Sequence, residues 1–105
     1  MKPSELLDAC ASEWEQGFGW TQGDLWRDAN GIICVSRKAV SCCSIGMLTR
    51  KLDIEDGRYG RILRYLREAT GVELIAFWND DPSRTKEQVI QKFREAADLA
   101  RTAGE

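Results

Sequence analysis

The chain contains no histidine, and only two of its 105 residues are proline. Without histidine it lacks the usual general base, the usual activator of a serine or cysteine nucleophile and the commonest metal ligand. Chemistry would have to run on carboxylates, arginine, tyrosine or thiols, and no catalytic constellation of these is visible. The expectation is a protein that is not an enzyme and takes no cofactor and no metal. A strong excess of either charge is missing too: 15 Lys and Arg stand against 17 Asp and Glu, for a net charge of −2 and a pI near 5.2. Duplex nucleic-acid affinity comes mainly from neutralising phosphates, so nucleic acid is a less favoured partner than protein. No apolar run approaches the roughly eighteen residues of a membrane span, and Met1-Lys2-Pro3-Ser4-Glu5 leads into an amphipathic pattern rather than a signal-peptide core. A cytoplasmic protein with no membrane role is expected. Internal repeats and low-complexity segments are absent, and the length fits one compact domain over 1–105.

Cysteine is present in moderation, as Cys10, Cys34, Cys42 and Cys43. All four lie in apolar neighbourhoods, two are adjacent, and no Cys-x-x-Cys spacing occurs. Zinc sites need paired thiolates or imidazoles at such spacing, and a chain with this much other apolar mass does not need disulfide staples. Free, buried thiols in a reducing compartment follow.

The middle of the chain, Ala39 to Leu52, is uncharged as far as Leu48 and places small or apolar residues on nearly every side of a helix. Such a pattern predicts a buried central helix starting near Lys38 or Ala39. Gly46 in its interior lowers helix stability by about 1 kcal/mol relative to alanine, which predicts a packing reason: another backbone passing close by. On either side the periodicity is helical. Ser4 reads as the N-cap of a helix over 5–16 carrying Leu6, Leu7, Cys10, Ala11 and Trp14. Tyr59, Ile62, Leu63, Leu66 and Ala69 form one stripe on a helix that stops at Gly71. Thr85 and Gln88 form a capping box before Val89, Ile90, Phe93, Ala96, Ala97 and Ala100. Between Trp20 and Val35, the Asn30-Gly31 turn signal and the β-branched run after it predict a small antiparallel hairpin or a pair of irregular extended arms. Val72 to Trp78 reads as a short buried extended segment. The fold class is α+β, mainly helical, with about four helices.

Four groups of residues carry a functional reading. Trp78-Asn79-Asp80 ends an apolar run with oxygen-bearing side chains that could hold a polar ligand, with Trp20 beside them; the competing reading is a turn in which Asn79 and Asp80 bond their own backbone. Arg58, Arg61, Arg64 and Arg67, with Tyr59 and Tyr65, form a basic, aromatic helix surface of the composition enriched at protein interfaces, against the alternative of a solvated face paired with Glu55, Asp56 and Glu68. Among Trp14, Trp20, Trp26 and Trp78, some must be core, and Trp26 is the one expected on an exposed rim as an interface anchor. Cys42 and Cys43 read as buried structural residues, with only Arg37 or Lys38 nearby to activate a thiol.

Taken in order, Trp20-Thr21-Gln22-Gly23, Asp28-x-x-Gly31, Cys43-x-x-Gly46-Met47-Leu48, Trp78-Asn79-Asp80 and Thr85-x-x-x-Val89 resemble an uncharacterised family of small actinobacterial and phage proteins. The likeness spans most of residues 5–100 and departs from the family pattern at Met47, where alanine is usual, and in the arginine-rich link through 53–68. It implies an architecture, and a phage or mobile-element origin. The functional expectation is a non-enzymatic protein-interaction module, such as a phage-encoded modulator or inhibitor of a host system, binding through Trp26, Arg58, Tyr59, Arg61, Arg64 and Tyr65. The alternative is a small-ligand or nucleotide-binding domain with a pocket near Trp20, Trp78, Asn79 and Asp80. Self-association into a homodimer is a third reading.

Overall fold

Apolar residues at three- and four-residue spacing make α1, Pro3–Glu15, one face of which is wholly buried through Leu6, Leu7, Cys10, Ala11 and Trp14. The computed structural model describes all of residues 1–105. After α1 come three two-residue strands, β1 (Gly19–Trp20), β2 (Trp26–Arg27) and β3 (Ser41–Cys42), with a 3₁₀ turn at Ser36–Lys38, and then four helices: α2 (Ser44–Lys51), α3 (Gly57–Thr70), α4 (Ile75–Asn79) and α5 (Lys86–Thr102). The architecture is the expected α+β, mainly helical one.

The long antiparallel seam is between α1 and α5, with α3 packed on α5. Trp14 meets Phe93 edge to face across the seam, centroids 5.0 Å apart. Such a pair adds about 0.5–1.5 kcal/mol to the burial itself. The Trp14 indole N–H has no hydrogen-bond partner, so at that one atom the seam gives up part of what the buried ring contributes. Polar side chains close the outside of the seam. Arg94 of α5 reaches Asp8 (2.9 Å), the Ser12 hydroxyl (3.0 Å) and Glu15 on α1, and Arg101 reaches Asp8 and Asp98. Met47 and Leu48 of α2, Ile62, Tyr65 and Leu66 of α3 and Ile75 and Trp78 of α4 complete a single core cluster.

Helix ends follow the local sequence where the caps are local. Thr85 and Gln88 form the predicted capping box, the Gln88 N–H donating to Thr85 Oγ1 at 3.2 Å and the Thr85 N–H to Gln88 Oε1 at 3.0 Å. Asp56 caps α3 by accepting from the Arg58 N–H at 2.9 Å, and Gly71 closes it in the left-handed conformation at φ +75°. Helix α1 begins two residues earlier than expected. Pro3 takes its first position, the Lys2 N–H donates to Glu5 Oε1 (2.7 Å), and Ser4, expected as the cap, lies inside the first turn and donates its hydroxyl to the Glu105 carbonyl oxygen (3.1 Å).

Three expectations need correction. The central helix starts at Ser44, not near Ala39, because Ser41–Cys42 is the middle strand of the sheet. That sheet has the order β1-β3-β2, with β1 parallel and β2 antiparallel to β3, so it is mixed rather than antiparallel. The predicted hairpin is present beyond it: Gly31 turns at φ +77° and Ile33 pairs with Arg27 through an isolated antiparallel bridge. Finally, Val72 to Trp78 is not a buried extended segment. Residues 72–74 lie on the surface, and Ile75–Asn79 is a fifth helix, five residues long, that buries Ile75, Trp78 and Asn79 but leaves Ala76 and Phe77 exposed. Spacing of three and four residues puts Ile75, Trp78 and Asn79 on one side of a helical turn, a pattern the short apolar run obscured.

Gly46 has the predicted reason for being glycine. A Cβ there would stand 2.3 Å from the Leu25 carbonyl oxygen, which lies against the first turn of α2 and accepts from the Cys43 N–H at 3.1 Å. Cys43 is the N-cap of α2, its Sγ accepting from the Gly46 N–H at 3.3 Å.

Candidate functional site

Helix α4 presents two unlike faces within one turn and a half. Its inner end is closed by Asn79, which is fully buried although polar. Asn79 Oδ1 accepts from the Trp20 indole N–H (2.8 Å), the Ser44 backbone N–H (2.9 Å) and the Ser44 hydroxyl (2.7 Å). Its Nδ2 donates to the Thr21 carbonyl oxygen and to Asp80 Oδ1, both at 3.1 Å. The loop after β1 completes the clasp. Gln22 Nε2 donates to the carbonyl oxygens of Asn79 (2.9 Å) and Asp81 (2.7 Å), and the Gly23 N–H donates to Asp80 Oδ1 at 2.9 Å. One amide thus caps α2, holds the Trp20 ring and ties the 20–23 loop to α4. Buried polar groups with every partner present rigidify a fold, whereas the same groups half satisfied would cost it stability.

This clasp decides how the residues expected at a ligand pocket are used. Trp20, Asn79 and Asp80 are brought together: the Trp20 indole N–H, both ends of the Asn79 amide and Asp80 Oδ1 are engaged by one another, by Ser44 and by the backbone, while Asp80 is exposed and its Oδ2 has no partner. Trp78 lies to the side with its ring under the Arg84 guanidinium (4.1 Å to the centroid), and Arg84 Nε donates to the Trp78 carbonyl oxygen at 2.9 Å. The arrangement combines the turn reading with long-range partners that the sequence alone did not reveal.

The arginine and tyrosine surface of α3 is not assembled as one face. Tyr65 is a correction: it is 4% exposed and belongs to the core, because it falls on the same side of α3 as Ile62 and Leu66. Tyr59 is half-buried against that core. Arg58 folds back onto Asp56 (2.7 Å), which holds that carboxyl well below the ordinary carboxylate range, and also reaches the Met1 carbonyl oxygen (2.7 Å). Arg61 reaches Glu105 at 3.2 Å. Arg64 stands exposed with no carboxylate partner. Trp26 is half-buried, its indole N–H donating to the Gly46 carbonyl oxygen at 3.0 Å, so it is not the free rim indole expected.

The outer face of α4 holds what the sequence reading missed. Phe77 is 73% exposed and Leu74 58% exposed, and they border a groove of about 330 Å³ between α3 and α4 walled by Ile45, Leu63, Ile75 and Ala76. Arg67 and Glu73 stand at its margin, where Arg67 Nε donates to the Glu73 carbonyl oxygen (2.9 Å) and the Glu73 carboxylate has no partner. Ile45 and Ala76 also wall a second hollow of about 300 Å³ with Leu25, Cys43 and Asp80, so the apolar strip continues from Leu63 to Leu25. Reading 72–78 as a buried extended segment puts Leu74 and Phe77 inside. The signal that could have found them is the helical pairing of Ile75 with Trp78 and Asn79, which turns Phe77 outward.

Three of the thiols, Cys10, Cys42 and Cys43, are held unreactive by burial. Burial pushes Cys10 up to about 12 and raises Cys42 and Cys43 as well, the bond from the Gly46 N–H to Cys43 only partly opposing it. Cys34 differs from the expectation of four buried cysteines in being half-buried on the hairpin. No group of three or more Cys, Asp or Glu side chains stands where it could hold a metal ion, and no helix is long and apolar enough to cross a membrane.

No curated protein and no solved structure matches the chain. The family resemblance read from the ordered motifs is met by a model that matches residues 1–99: the chain belongs to DUF6197, a family of unknown function.

Proposed function

We propose that the protein is a protein-binding module and that its partner docks in the groove between α3 and α4. The observation that carries this reading is the exposure of Phe77 and Leu74 beside that groove. Leaving a phenylalanine side chain in water gives up roughly 1.5–3 kcal/mol that burial would return, and five-residue α4 could have been closed with a polar residue at no cost to the fold. An aromatic knob beside an apolar hollow, rimmed by charges of both signs, is the composition of an interface centre with a polar rim. The partner it suits offers one or two apolar side chains flanked by an acid for Arg67 and a base for Glu73. The expected arginine and tyrosine surface contributes through Arg64 and Arg67 rather than through Tyr65. The small-ligand reading has less to offer a ligand, since the Trp20 indole N–H and both ends of the Asn79 amide are already engaged within the chain and only the outer oxygen of Asp80 is left.

The test is to place a photocrosslinking phenylalanine analogue at position 77 and, as control, at exposed Gln91, in the source cells. A protein adduct formed from position 77 alone, and lost when Leu74→Asp is added, supports the reading. Equal adducts from both positions, or none from 77, sink it.

A further inference from the structure

A second exposed apolar surface lies at the opposite edge of the sheet, on the hairpin after β2. Ile32, Ile33 and Val35 are each about half exposed or more (61%, 58% and 48%). The backbone of this arm faces β2 through alternate residues. The Asp28 N–H donates to the Ile32 carbonyl oxygen (2.8 Å) and the Cys34 N–H to the Trp26 carbonyl oxygen (3.2 Å), on either side of the Arg27–Ile33 bridge. Successive residues of an extended chain direct their N–H and C=O groups to opposite sides. With Ile32 and Cys34 turned toward β2, the N–H and C=O of Ile33 and the N–H of Val35 turn away from it. None of these three groups has a partner, while the Val35 carbonyl oxygen accepts from the Lys38 N–H at 3.0 Å. The edge therefore offers donor, acceptor, donor in strand register.

Charge at this edge is one-sided although the chain as a whole carries −2. Arg37 and Lys38, in the 3₁₀ turn that follows, are exposed and have no carboxylate within reach. Arg27 is held by Thr21 Oγ1 (3.0 Å) and the Gly31 carbonyl oxygen (3.1 Å). The one acid of the arm, Asp28, already accepts from the N–H groups of Asn30 (2.9 Å) and Ile32 (3.0 Å). A second copy of this chain would bring no free carboxylate on its own arm to Arg37 and Lys38. An acidic partner would.

We propose that this edge receives an extended acidic peptide segment as an added strand, its main chain pairing with Ile33 and Val35, its apolar side chains lying on Ile33 and Val35, and its carboxylates meeting Arg37 and Lys38. Strand addition of this kind draws affinity from the main chain and selectivity from the flanking side chains. The inference stands on the free backbone edge and is independent of the groove beside α4.

The test is fluorescence anisotropy with the full chain and a labelled heptapeptide of alternating glutamate and valine, beside its lysine counterpart. Saturable binding of the acidic peptide is expected, at least about tenfold tighter than the lysine peptide, and weaker as salt is raised through about 0.15 M. Val35→Pro removes one outward N–H at a residue whose φ of −91° lies near that of proline, and it should weaken binding about tenfold with an unchanged circular dichroism spectrum. The Arg37→Glu, Lys38→Glu double variant should do the same, whereas Phe77→Asp should leave the affinity where it was. Hydrogen exchange in the unaltered chain gives a second readout, with the Ile33 and Val35 amides slowing when the acidic peptide is added. Lack of saturation by the acidic peptide, equal binding of the two peptides, unslowed amides, or a concentration-dependent doubling of mass that Val35→Pro abolishes would each overturn the proposal, the last in favour of pairing between copies.

Discussion

Asn79 and Phe77 sit two residues apart on the same short helix and could hardly be placed more differently. Asn79 is polar and fully buried, with five hydrogen bonds to its side chain; Phe77 is apolar and 73% exposed, with a groove beside it. Hydropathy alone would exchange them. The difference teaches that burial at α4 is set by what must be joined rather than by what prefers to leave water. Strand β1 and the residue after it, the start of α2 and the end of α4 converge on one point, where the Trp20 indole N–H, the Thr21 carbonyl oxygen, the Ser44 N–H and hydroxyl and the Asp80 carboxylate need both an acceptor and a donor. Only a side chain with both a donor and an acceptor satisfies them all. Phe77 stays in water, beside the groove proposed to receive a partner.

The comparison breaks most visibly at Asn79. Replacing it with alanine would leave the Trp20 indole N–H, the Ser44 N–H and the Ser44 hydroxyl without their acceptor, and each orphaned buried donor costs roughly 1–3 kcal/mol. A loss of about 3 kcal/mol or more in urea unfolding is expected. Asn79→Asp sharpens the point, since it keeps the acceptor but sets an oxygen against the Thr21 carbonyl oxygen and the Asp80 carboxylate. It should be destabilising as well, and a neutral result would show that the clasp is held by Oδ1 alone.

Next in size is Gly46→Ala, which tests whether the loop at Leu25 is pinned beside the clasp. A methyl group 2.3 Å from a backbone oxygen cannot be absorbed by a rotamer change, so the usual gain of about 1 kcal/mol for alanine in a helix should be reversed into a loss of about 1–3 kcal/mol. A stabilised variant would mean that the 20–27 loop is free to move.

Acid separates the stability held by the α1 seams from that held by α4. Burial alone would raise Asp8 and Glu13, but Arg94 and Arg101 on the first, and Lys51 and Arg50 on the second, outweigh it and leave both below their ordinary values. A carboxyl whose folded pKa is depressed binds more protons in the unfolded chain, so its contribution is present above the unfolded value and disappears as pH falls through the folded one. Stability should decline progressively below about pH 5. In the Asp8→Asn variant that decline should be shallower, and an identical slope would show that these pairs contribute nothing.

The smallest effect is expected at Phe77. Alanine there removes almost no contact within the chain, so the unfolding midpoint should correspond to a change within about 0.5 kcal/mol, against the 3–5 kcal/mol typical of a buried phenylalanine. A large loss would place Phe77 in the core and remove the surface proposed for a partner.

Much of this was legible in the residues. The stripes of α1, α3 and α5, the Thr85 and Gln88 box, the Gly71 stop, the Asn30-Gly31 turn and the close approach at Gly46 all rest on neighbours within a turn or on one backbone conformation. The start of α2 was not legible. Residues 39–43 are as apolar as a helix, but Ser41 and Cys42 are claimed by β1 and β2, and the Ser44 N–H finds its acceptor 35 residues along the chain. Tyr65 and Trp26 were misread as surface residues for a related reason, since an aromatic ring suits a core or an interface equally well and only the packing of α3 against its neighbours, or of the β2 loop against α2, selects one.

By itself, then, the sequence determined the helices whose periodicity and caps are local, the mainly helical α+β class, and the lack of a histidine-based site. Tertiary structure decided which apolar residues are left outside and which polar one is sealed within. The reason is physical: periodicity and capping act between residues three or four apart, whereas the fate of Asn79 depends on Trp20 and Ser44, and that of Phe77 on the absence of anything folded over it.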